Sequence, residues 1–307
     1  MSTEPSINPA TPRPMGNALG ILLMLAGTFV FVVNDTLGKW MVADYAVGQM
    51  LAFRCVASVA ILAPLWFRAG FTKVFVVSHP RRHVVRLTLI IIDVGCFFWA
   101  VRSMKLADAM TIYMAAPLFV TALSVPFLGE KVGVHRWSAV VVGFVGVLLV
   151  LGPGGGTFGL PGLVAAIGSL AYASMLVATR DLRSAGGLSL LSTHTVVLFA
   201  ACLLTWPFGW PSPTLTDSGL MLLLGPLALL GHALMNRSLS LSPAAIVVPF
   251  QYTSILWATV LGWLVWGHMP TIQVAAGGTL IVGAGLYILY REHVLSRTIS
   301  DSVVEPA

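Results

Sequence analysis

The chain alternates between long apolar stretches and short polar connections. Ten stretches are each close to the roughly 20 residues that a helix needs to cross a bilayer. They cover approximately residues 17–37, 46–67, 84–102, 107–128, 134–151, 159–179, 189–208, 218–239, 243–266 and 271–290. None shows the period-two alternation that a strand of a lipid-embedded β-barrel would have. The pattern predicts an all-α integral membrane protein with ten transmembrane helices.

Composition supports a chain whose main solvent is lipid. Of the 307 residues, 57% are hydrophobic and 9% are charged, too few charges for an ordinary wetted surface. The formal net charge of +6 comes from cations that flank the apolar stretches, so the lipid bilayer rather than nucleic acid is the expected partner. Cys55, Cys96 and Cys202 are scattered inside the stretches. No disulfide framework, metal site or cofactor is therefore expected.

The positions of Lys and Arg predict the orientation. With a cytoplasmic N-terminus, three of the 17 cations fall on the opposite side, namely Lys39, Arg102 and Lys105, and Arg54 lies inside a stretch. The other thirteen then lie on the cytoplasmic side. Since positive residues concentrate in cytoplasmic loops, we expect both termini in the cytoplasm.

An internal repeat divides the chain. Residues 127–131 and 265–269 have similar sequences, and each is followed by a glycine-rich stretch and preceded by a proline-containing one. Five spans per half is an odd number, which makes the two repeats inverted in the membrane, as in many transporters. The expected organisation is a disordered cytoplasmic tail (1–16), a first repeat (17–151), a linker (152–158), a second repeat (159–291) and a cytoplasmic tail (292–307) that is disordered from Ser296.

Three charged residues lie inside apolar stretches and are the first candidates for function. Asp35 is in the first stretch, Arg54 in the second and Asp93 near the middle of the third. A charge at that depth is costly unless it is paired or hydrated. The three side chains therefore indicate either a substrate or ion pathway, or a structural ion pair that joins helices.

Two prolines mark a second candidate region. Pro117 and Pro249 interrupt the fourth and ninth stretches, which correspond in the two halves. Proline removes a backbone donor, and interrupted segments at matching positions point to a transporter's binding site. Aromatic and amide groups suited to an organic molecule accompany them: Trp99, Tyr113, Gln251, Tyr252 and Trp257.

Other polar features carry less functional information. Interhelical hydrogen bonds account for His194, His232 and Asn236. The glycine run Gly152–Gly156 lacks the Lys and Ser/Thr of a phosphate-binding loop, so uphill transport would need a proton gradient or another ion or substrate gradient. A cluster of acid, base or metal-binding groups at one depth is not evident, so we do not expect an enzyme.

Several motifs give the chain a family resemblance. They are Pro117–Phe119 leading to Leu128–Glu130, Pro249–Ser254 leading to Trp266–His268, and Asn34–Lys39 followed by Phe53–Arg54. With these motifs the chain resembles an EamA-type, ten-helix member of the drug/metabolite transporter superfamily. The second half departs from the pattern by carrying His268 where the repeat commonly has a glutamate.

The resemblance implies a secondary carrier of the bacterial inner membrane that moves a small organic metabolite by alternating access. The pattern is similar to the subgroup that contains riboflavin importers, so riboflavin uptake is the first specific expectation. Export of amino acids or other metabolites and carriage of S-adenosylmethionine are the alternatives within the superfamily. A non-transporting structural or regulatory membrane subunit is the alternative from another class.

Overall fold

The computed structural model describes residues 14–75, 79–129, 133–152, 159–180 and 186–304, and the regular structure in these ranges is helical. The α-helices are α1 (Pro14–Asp44), α2 (Val47–Ala69), α3 (Phe71–Phe75), α4 (Pro80–Ser103), α5 (Leu106–Tyr113), α6 (Ala116–Leu128), α7 (Val134–Val150), α8 (Leu160–Arg180), α9 (Gly187–Leu203), α10 (Leu215–Leu241), α11 (Ala244–Val247), α12 (Thr253–Trp266) and α13 (Ile272–Val304). Short 3₁₀ helices cover Trp206–Phe208 and Val248–Tyr252.

Ten segments of the described chain make up the membrane-spanning part. Nine are long and apolar enough to cross a bilayer, with mean hydropathies of 1.2 to 2.1, and α7 is a shorter apolar helix of 17 residues. We number them spans 1 to 10: α1, α2, α4, α5–α6, α7, α8, α9, α10, α11–α12 and α13. The predicted all-α, ten-span class is confirmed.

Spans 4 and 9 are broken helices. In span 4, α5 ends at Tyr113 and α6 begins at Ala116, and Pro117 stands in the first turn of α6. In span 9, the 3₁₀ segment that contains Pro249 separates α11 from α12. Neither proline can donate a backbone hydrogen bond. Proline is therefore accepted in the first turn of a helix, but it disrupts the interior of a continuous helix. The two prolines that the sequence singled out thus lie at the two breaks.

Packing between spans follows the internal repeat. The most extensive interfaces are span 1 with span 8, span 3 with span 6, and span 5 with span 10. Exchanging the two halves, so that span n becomes span n+5, turns the first interface into the second and leaves the third unchanged. Spans 2 and 7 also pack together. Five antiparallel spans per half place equivalent spans in opposite directions, which is the inverted arrangement.

The centre of the bundle is α5, all eight residues of which are buried. It contacts spans 6, 9 and 10 as well as its own half. At the periphery, large apolar side chains such as Leu148 (68% exposed) and Leu256 (64%) face outward. A buried centre and an exposed apolar outside are consistent with lipid as the surrounding medium.

Two helix ends differ from expectation. Helix α1 continues to Asp44, beyond the expected limit at residue 37, and α13 continues to Val304. Helix α13 thus includes residues 296–304, for which the sequence predicts disorder. The expectations for residues 1–13, for the linker residues 153–158 and for Glu130 lie outside the described residues.

Candidate functional site

The three charged residues inside the spans lie at one depth. Asp35 is nine residues before the end of α1 at Asp44, Arg54 is seven residues after the start of α2 at Val47, and Asp93 is ten residues before the end of α4 at Ser103. At 1.5 Å per residue, each is roughly 10–15 Å from the same end of the bundle. Three separate helices therefore bring charge to one layer.

These charges act on one another without close pairing. The guanidinium of Arg54 interacts electrostatically with both carboxyl groups, and the two carboxyl groups interact with each other. All three residues are half-buried. Within the described chain, no ion pair at 4.0 Å or less joins them. The structural ion pair that the sequence suggested is therefore not formed as a direct contact.

Tyr113 joins this layer from the break in span 4. Its hydroxyl donates to the backbone carbonyl of Asp93 at 3.1 Å, and its ring lies edge-on to Phe97 with 5.1 Å between centroids. The hydroxyl lies so close to Gly168 of α8 that a Cβ there would be 2.1 Å from the oxygen. A side chain at residue 168 would therefore displace the Tyr113 hydroxyl from its present position. We call Asp35, Arg54, Asp93 and Tyr113 the charged layer.

Arg54 also faces two histidines that the sequence assigned only to helix packing. With His194 of α9 and His232 of α10 it lines a cavity of about 20 Å³. A site of this size holds roughly one water molecule. The Nδ1 atom of His232 is 2.9 Å from the carbonyl oxygen of Ala228 in its own helix. The sequence does not indicate this association, because it does not show which faces of spans 2, 7 and 8 meet.

The candidates from the second half form a separate group around the break in span 9. Pro249 and Gln251 are half-buried in the 3₁₀ segment, and Trp257 packs edge-on against Phe29 of α1 at 5.2 Å between ring centroids. Tyr252 is buried against α13. Among the described residues, neither its hydroxyl nor the indole N–H of Trp257 has a hydrogen-bond partner. Both are free polar groups near the break.

The two breaks touch each other, but Trp99 lies away from both. The Ser254 hydroxyl at the start of α12 is 3.5 Å from the Met114 sulfur in the turn of span 4, which brings the two groups of candidates together. Trp99 is 41% exposed and lies seven residues after Ile92, which is also exposed, so both occupy the outer face of α4. The structure does not bring Trp99 to the charged layer.

A second set of polar residues lies where α1, α4 and α12 end, which we call the Lys39 end. The ammonium group of Lys39 is buried, donates to the carbonyl oxygens of Val101 and Met104, and lies 5.3 Å from the centre of the Trp266 ring. Lys105 donates to the carbonyl oxygen of Met269 at 2.7 Å. These contacts tie the first half to the second.

Two further residues complete what we call the Lys39 cluster: Lys39, Lys105, Asp108, Trp266 and His268. Asp108 is fully buried beside both lysines, and its carboxylate oxygens accept no hydrogen bond from the described residues. His268 stacks on Trp266 in the connection between spans 9 and 10. Its burial, together with the charges of Lys39 and Lys105, lowers the pKa of His268 below 6.5, so the ring is neutral at pH 7.

The opposite end of the bundle, the Arg86 end, also carries contacts between the halves. Arg86 at the start of α4 donates to the Thr179 hydroxyl at 3.1 Å. The indole N–H of Trp66 in α2 donates to the Ser192 hydroxyl of α9 at 2.7 Å. Contacts between the two repeats therefore occur at both ends of the bundle.

In the part of the chain that the structure describes, no three or more His, Cys, Asp or Glu side chains are grouped so that they could hold a metal ion. The geometry defines a polytopic helical membrane protein with an internal repeat, two broken central helices and a charged layer within the membrane.

Residues 18–152 and again 160–291 match the EamA-like transporter family. The chain belongs to this family, which is part of the drug/metabolite transporter superfamily.

Characterised relatives span nearly the whole chain. The pseudopaline exporter CntI of Pseudomonas aeruginosa is 28% identical over 277 residues, covering 86% of this chain and 94% of that protein. A riboflavin transporter of Rhizobium johnstonii is 26% identical, covering 91% and 94%. An S-adenosylmethionine uptake transporter of Rickettsia bellii is 23% identical, covering 90% and 94%.

A solved crystal structure has the same fold. It superposes with a TM-score of 0.59 at 18% sequence identity, covering 90% of this chain and 98% of that one. The family and its relatives establish that the protein is a membrane transporter. The relatives are named for the transport of different small molecules.

Proposed function

We propose that this protein is a secondary active transporter that moves a small organic metabolite across the bacterial inner membrane by alternating access. The observation that carries the proposal is the charged layer, in which Asp35, Arg54 and Asp93 lie at one depth and Tyr113 at the break of span 4 donates to Asp93. Charges at that depth are retained in membrane proteins mainly for pathways of substrates and ions. Broken helices at matching positions of inverted repeats add to the argument.

The charge balance of the layer suggests what it binds. Two carboxylates and one guanidinium leave a surplus of one negative charge when both acids are ionised. A proton or another cation can balance it, and so can a cationic group on the substrate. Asp93 is the proposed coupling residue, with Tyr113 and Arg54 fixing its surroundings. The polar groups of Tyr252 and Trp257 are proposed to hydrogen-bond the organic part of the substrate.

Alternating access would use the contacts at the two ends. The Lys39 cluster joins the repeats at one end, and the contacts of Arg86 and Trp66 join them at the other. Rocking of one repeat against the other would break one set while the other holds. With the positive-inside bias, the Lys39 end faces away from the cytoplasm, and both termini lie inside the cell.

Riboflavin uptake is the specific substrate proposal, supported by relatives from Rhizobium johnstonii and Vibrio cholerae that are named riboflavin transporters. Two observations favour alternatives. The negative surplus of the charged layer suits a cation such as S-adenosylmethionine, the substrate named for the Rickettsia relatives. Export of a metabolite has support from the pseudopaline exporter at 28% identity.

Counterflow in proteoliposomes tests the proposal. Vesicles that contain the purified protein are loaded with unlabelled riboflavin and diluted into labelled riboflavin, and parallel vesicles use S-adenosylmethionine or an amino-acid mixture. Transient accumulation of label identifies the substrate. If the label is chemically unaltered and accumulates no more than in empty vesicles in all three assays, the result would favour a structural or regulatory subunit. A chemically changed label would indicate an enzyme.

The coupling residue has a matched control. Asp93→Asn removes the carboxylate of the layer, while Asp44→Asn changes an exposed aspartate at the Lys39 end. With a transported substrate, Asp93→Asn should abolish the pH dependence of uphill transport, and Asp44→Asn should leave it unchanged. Transport by Asp93→Asn that equals the wild type at every pH would remove Asp93 from the mechanism.

A further inference from the structure

A cleft of about 460 Å³ opens at the Arg86 end of the bundle. Spans 3, 4 and 6 form it. Two arginines of α4, Arg81 and Arg82, stand at one end, and the walls are mostly apolar. We call it the Arg81 groove. Its volume is in the range of about 300–1,000 Å³ that is usual for sites of organic ligands.

Polarity changes along the groove in one direction. Arg81 and Arg82 are exposed and stand at the start of α4, where a span meets the headgroup region. Val85 and Leu89 follow on α4, and Leu89 is eight residues after Arg81, or roughly 12 Å deeper at 1.5 Å per residue. The groove thus offers cations at the surface and hydrocarbon below them.

The groove is also open sideways. Phe127 of α6 is 73% exposed and Val85 is 54% exposed, so two of its walls are not covered by other parts of the described chain. In a membrane-spanning bundle such a side faces acyl chains. A water-soluble metabolite would make few apolar contacts with these walls, whereas the acyl chain of a lipid can pack against them.

We propose that the Arg81 groove binds an anionic phospholipid, with its phosphate at Arg81 and Arg82 and one acyl chain against Leu89, Leu123 and Val177. The charge complementarity between the arginine pair and an anionic headgroup carries this choice of occupant, because basic residues beside a span attract anionic lipids. A neutral phospholipid would satisfy the walls but would lack the net negative charge. The lipid would bridge α4, which carries Asp93, to α6 and α8.

Thermal unfolding in mixed micelles provides the test. Purified protein in a neutral detergent is titrated with phosphatidylglycerol or with phosphatidylcholine of the same acyl chains, and the melting temperature is followed. Because a ligand that binds the folded state stabilises it, phosphatidylglycerol should raise the melting temperature at a concentration roughly tenfold or more below that of phosphatidylcholine. Equal effects of the two lipids would overturn the proposal.

Matched variants locate the effect. Arg81→Gln/Arg82→Gln should abolish the preference for phosphatidylglycerol, while Arg102→Gln, an exposed arginine at the other end of the same helix, should keep it. Ser174→Phe fills the groove from α8 without changing its charge, and it should weaken the binding of both lipids. Full phosphatidylglycerol preference in the double arginine variant would place the lipid elsewhere and contradict the proposal.

Two further arms distinguish other occupants. Inorganic phosphate at matched concentration should give no shift, and a shift as large as that of the lipid would show a site for free anions instead. Riboflavin should not displace phosphatidylglycerol, as followed by native mass spectrometry of the lipid-bound protein. Displacement would identify the groove as part of the substrate path and would overturn the lipid assignment.

Discussion

The ammonium group of Lys39 lies 5.3 Å from the centre of the Trp266 ring, and this contact joins the end of span 1 to the end of span 9. Lys39 belongs to the first repeat and Trp266 to the second. The two carbonyl oxygens that accept from the ammonium group belong to the end of span 3 and the residue that follows it. One buried cation therefore holds three spans together at the Lys39 end.

Replacing Trp266 by leucine should loosen this end. The substitution keeps an apolar side chain but removes the ring that attracts the cation, an interaction of about 0.5–2 kcal/mol. We expect Ala109→Cys, at a fully buried position of α5, to react with a membrane-impermeant maleimide roughly two- to thirtyfold faster in the Trp266→Leu background. Labelling of the same protein without the added cysteine supplies the background rate.

The control for this experiment is another tryptophan. Trp137 of α7 is 42% exposed and has no part in the Lys39 cluster. Trp137→Leu should leave the labelling rate at Ala109→Cys unchanged. If Trp266→Leu also leaves it unchanged, the contact between Lys39 and Trp266 does not contribute to closing this end.

Acid should weaken the Lys39 end through His268. Burial and the two nearby lysines lower the pKa of His268 below its ordinary value of 6.5. The folded state therefore binds this proton less readily than the unfolded state, so the contribution to stability is present above pH 6.5 and falls as the pH drops below it. The melting temperature of the wild type should decrease between pH 7.5 and pH 5 by more than that of His268→Gln.

His135 provides the comparison for that prediction. It is exposed at the start of α7, and His135→Gln should retain the full acid sensitivity of the wild type. The remaining histidines are common to all three proteins, so the informative quantity is the difference between variants. Identical pH profiles for wild type and His268→Gln would show that the Lys39 cluster tolerates a third cation.

Much of the architecture could be predicted from the sequence because lipid imposes a simple rule. Backbone groups in the bilayer must be satisfied within each span, so length and hydropathy define the helices with little help from tertiary contacts. The breaks at Pro117 and Pro249 could be predicted for the same local reason, the missing donor of proline.

The neighbours of each side chain could not be predicted in the same way. Hydropathy does not separate a lipid-facing from a protein-facing side of a span, since both are apolar. Sequence alone groups Trp99 with Tyr113 for this reason, although Trp99 lies on the outer face of α4. The meeting of Arg54 with His194 and His232, and of Lys39 with Trp266, depends on how spans distant in sequence pack.

Spans 5 and 10 should depend on two glycines that allow their backbones to touch. A Cβ at Gly277 would lie 2.6 Å from the carbonyl oxygen of Gly146 and 2.6 Å from a methyl group of Val150. Since the backbone must shift to relieve this overlap, we expect Gly277→Ala to lower the free energy of unfolding by about 1–3 kcal/mol. Denaturation of the purified protein with sodium dodecyl sulfate, followed by circular dichroism, measures the change.

The same helix supplies the control. A Cβ added at Gly283 of α13 would meet no atom of a neighbouring helix within 4 Å in the described chain, so alanine meets open space there. Gly283→Ala should be neutral or stabilising by up to about 1 kcal/mol, because alanine is the better helix former. If both substitutions destabilise equally, close backbone packing is not the reason for the glycines of span 10.

The last prediction concerns the hydrogen bond between Trp66 and Ser192 at the Arg86 end. Both side chains are buried, and the bond of 2.7 Å joins span 2 to span 7. A double-mutant cycle of Trp66→Phe and Ser192→Ala should give a coupling free energy of about 0.6 kcal/mol, with an upper limit of about 1.7 kcal/mol, as interhelical hydrogen bonds do in membranes. Trp66→Phe combined with Ser174→Ala should give none, because the Ser174 hydroxyl donates to Leu170 of its own helix. Equal coupling in the two cycles would mean that the Trp66 indole does not hold the repeats together.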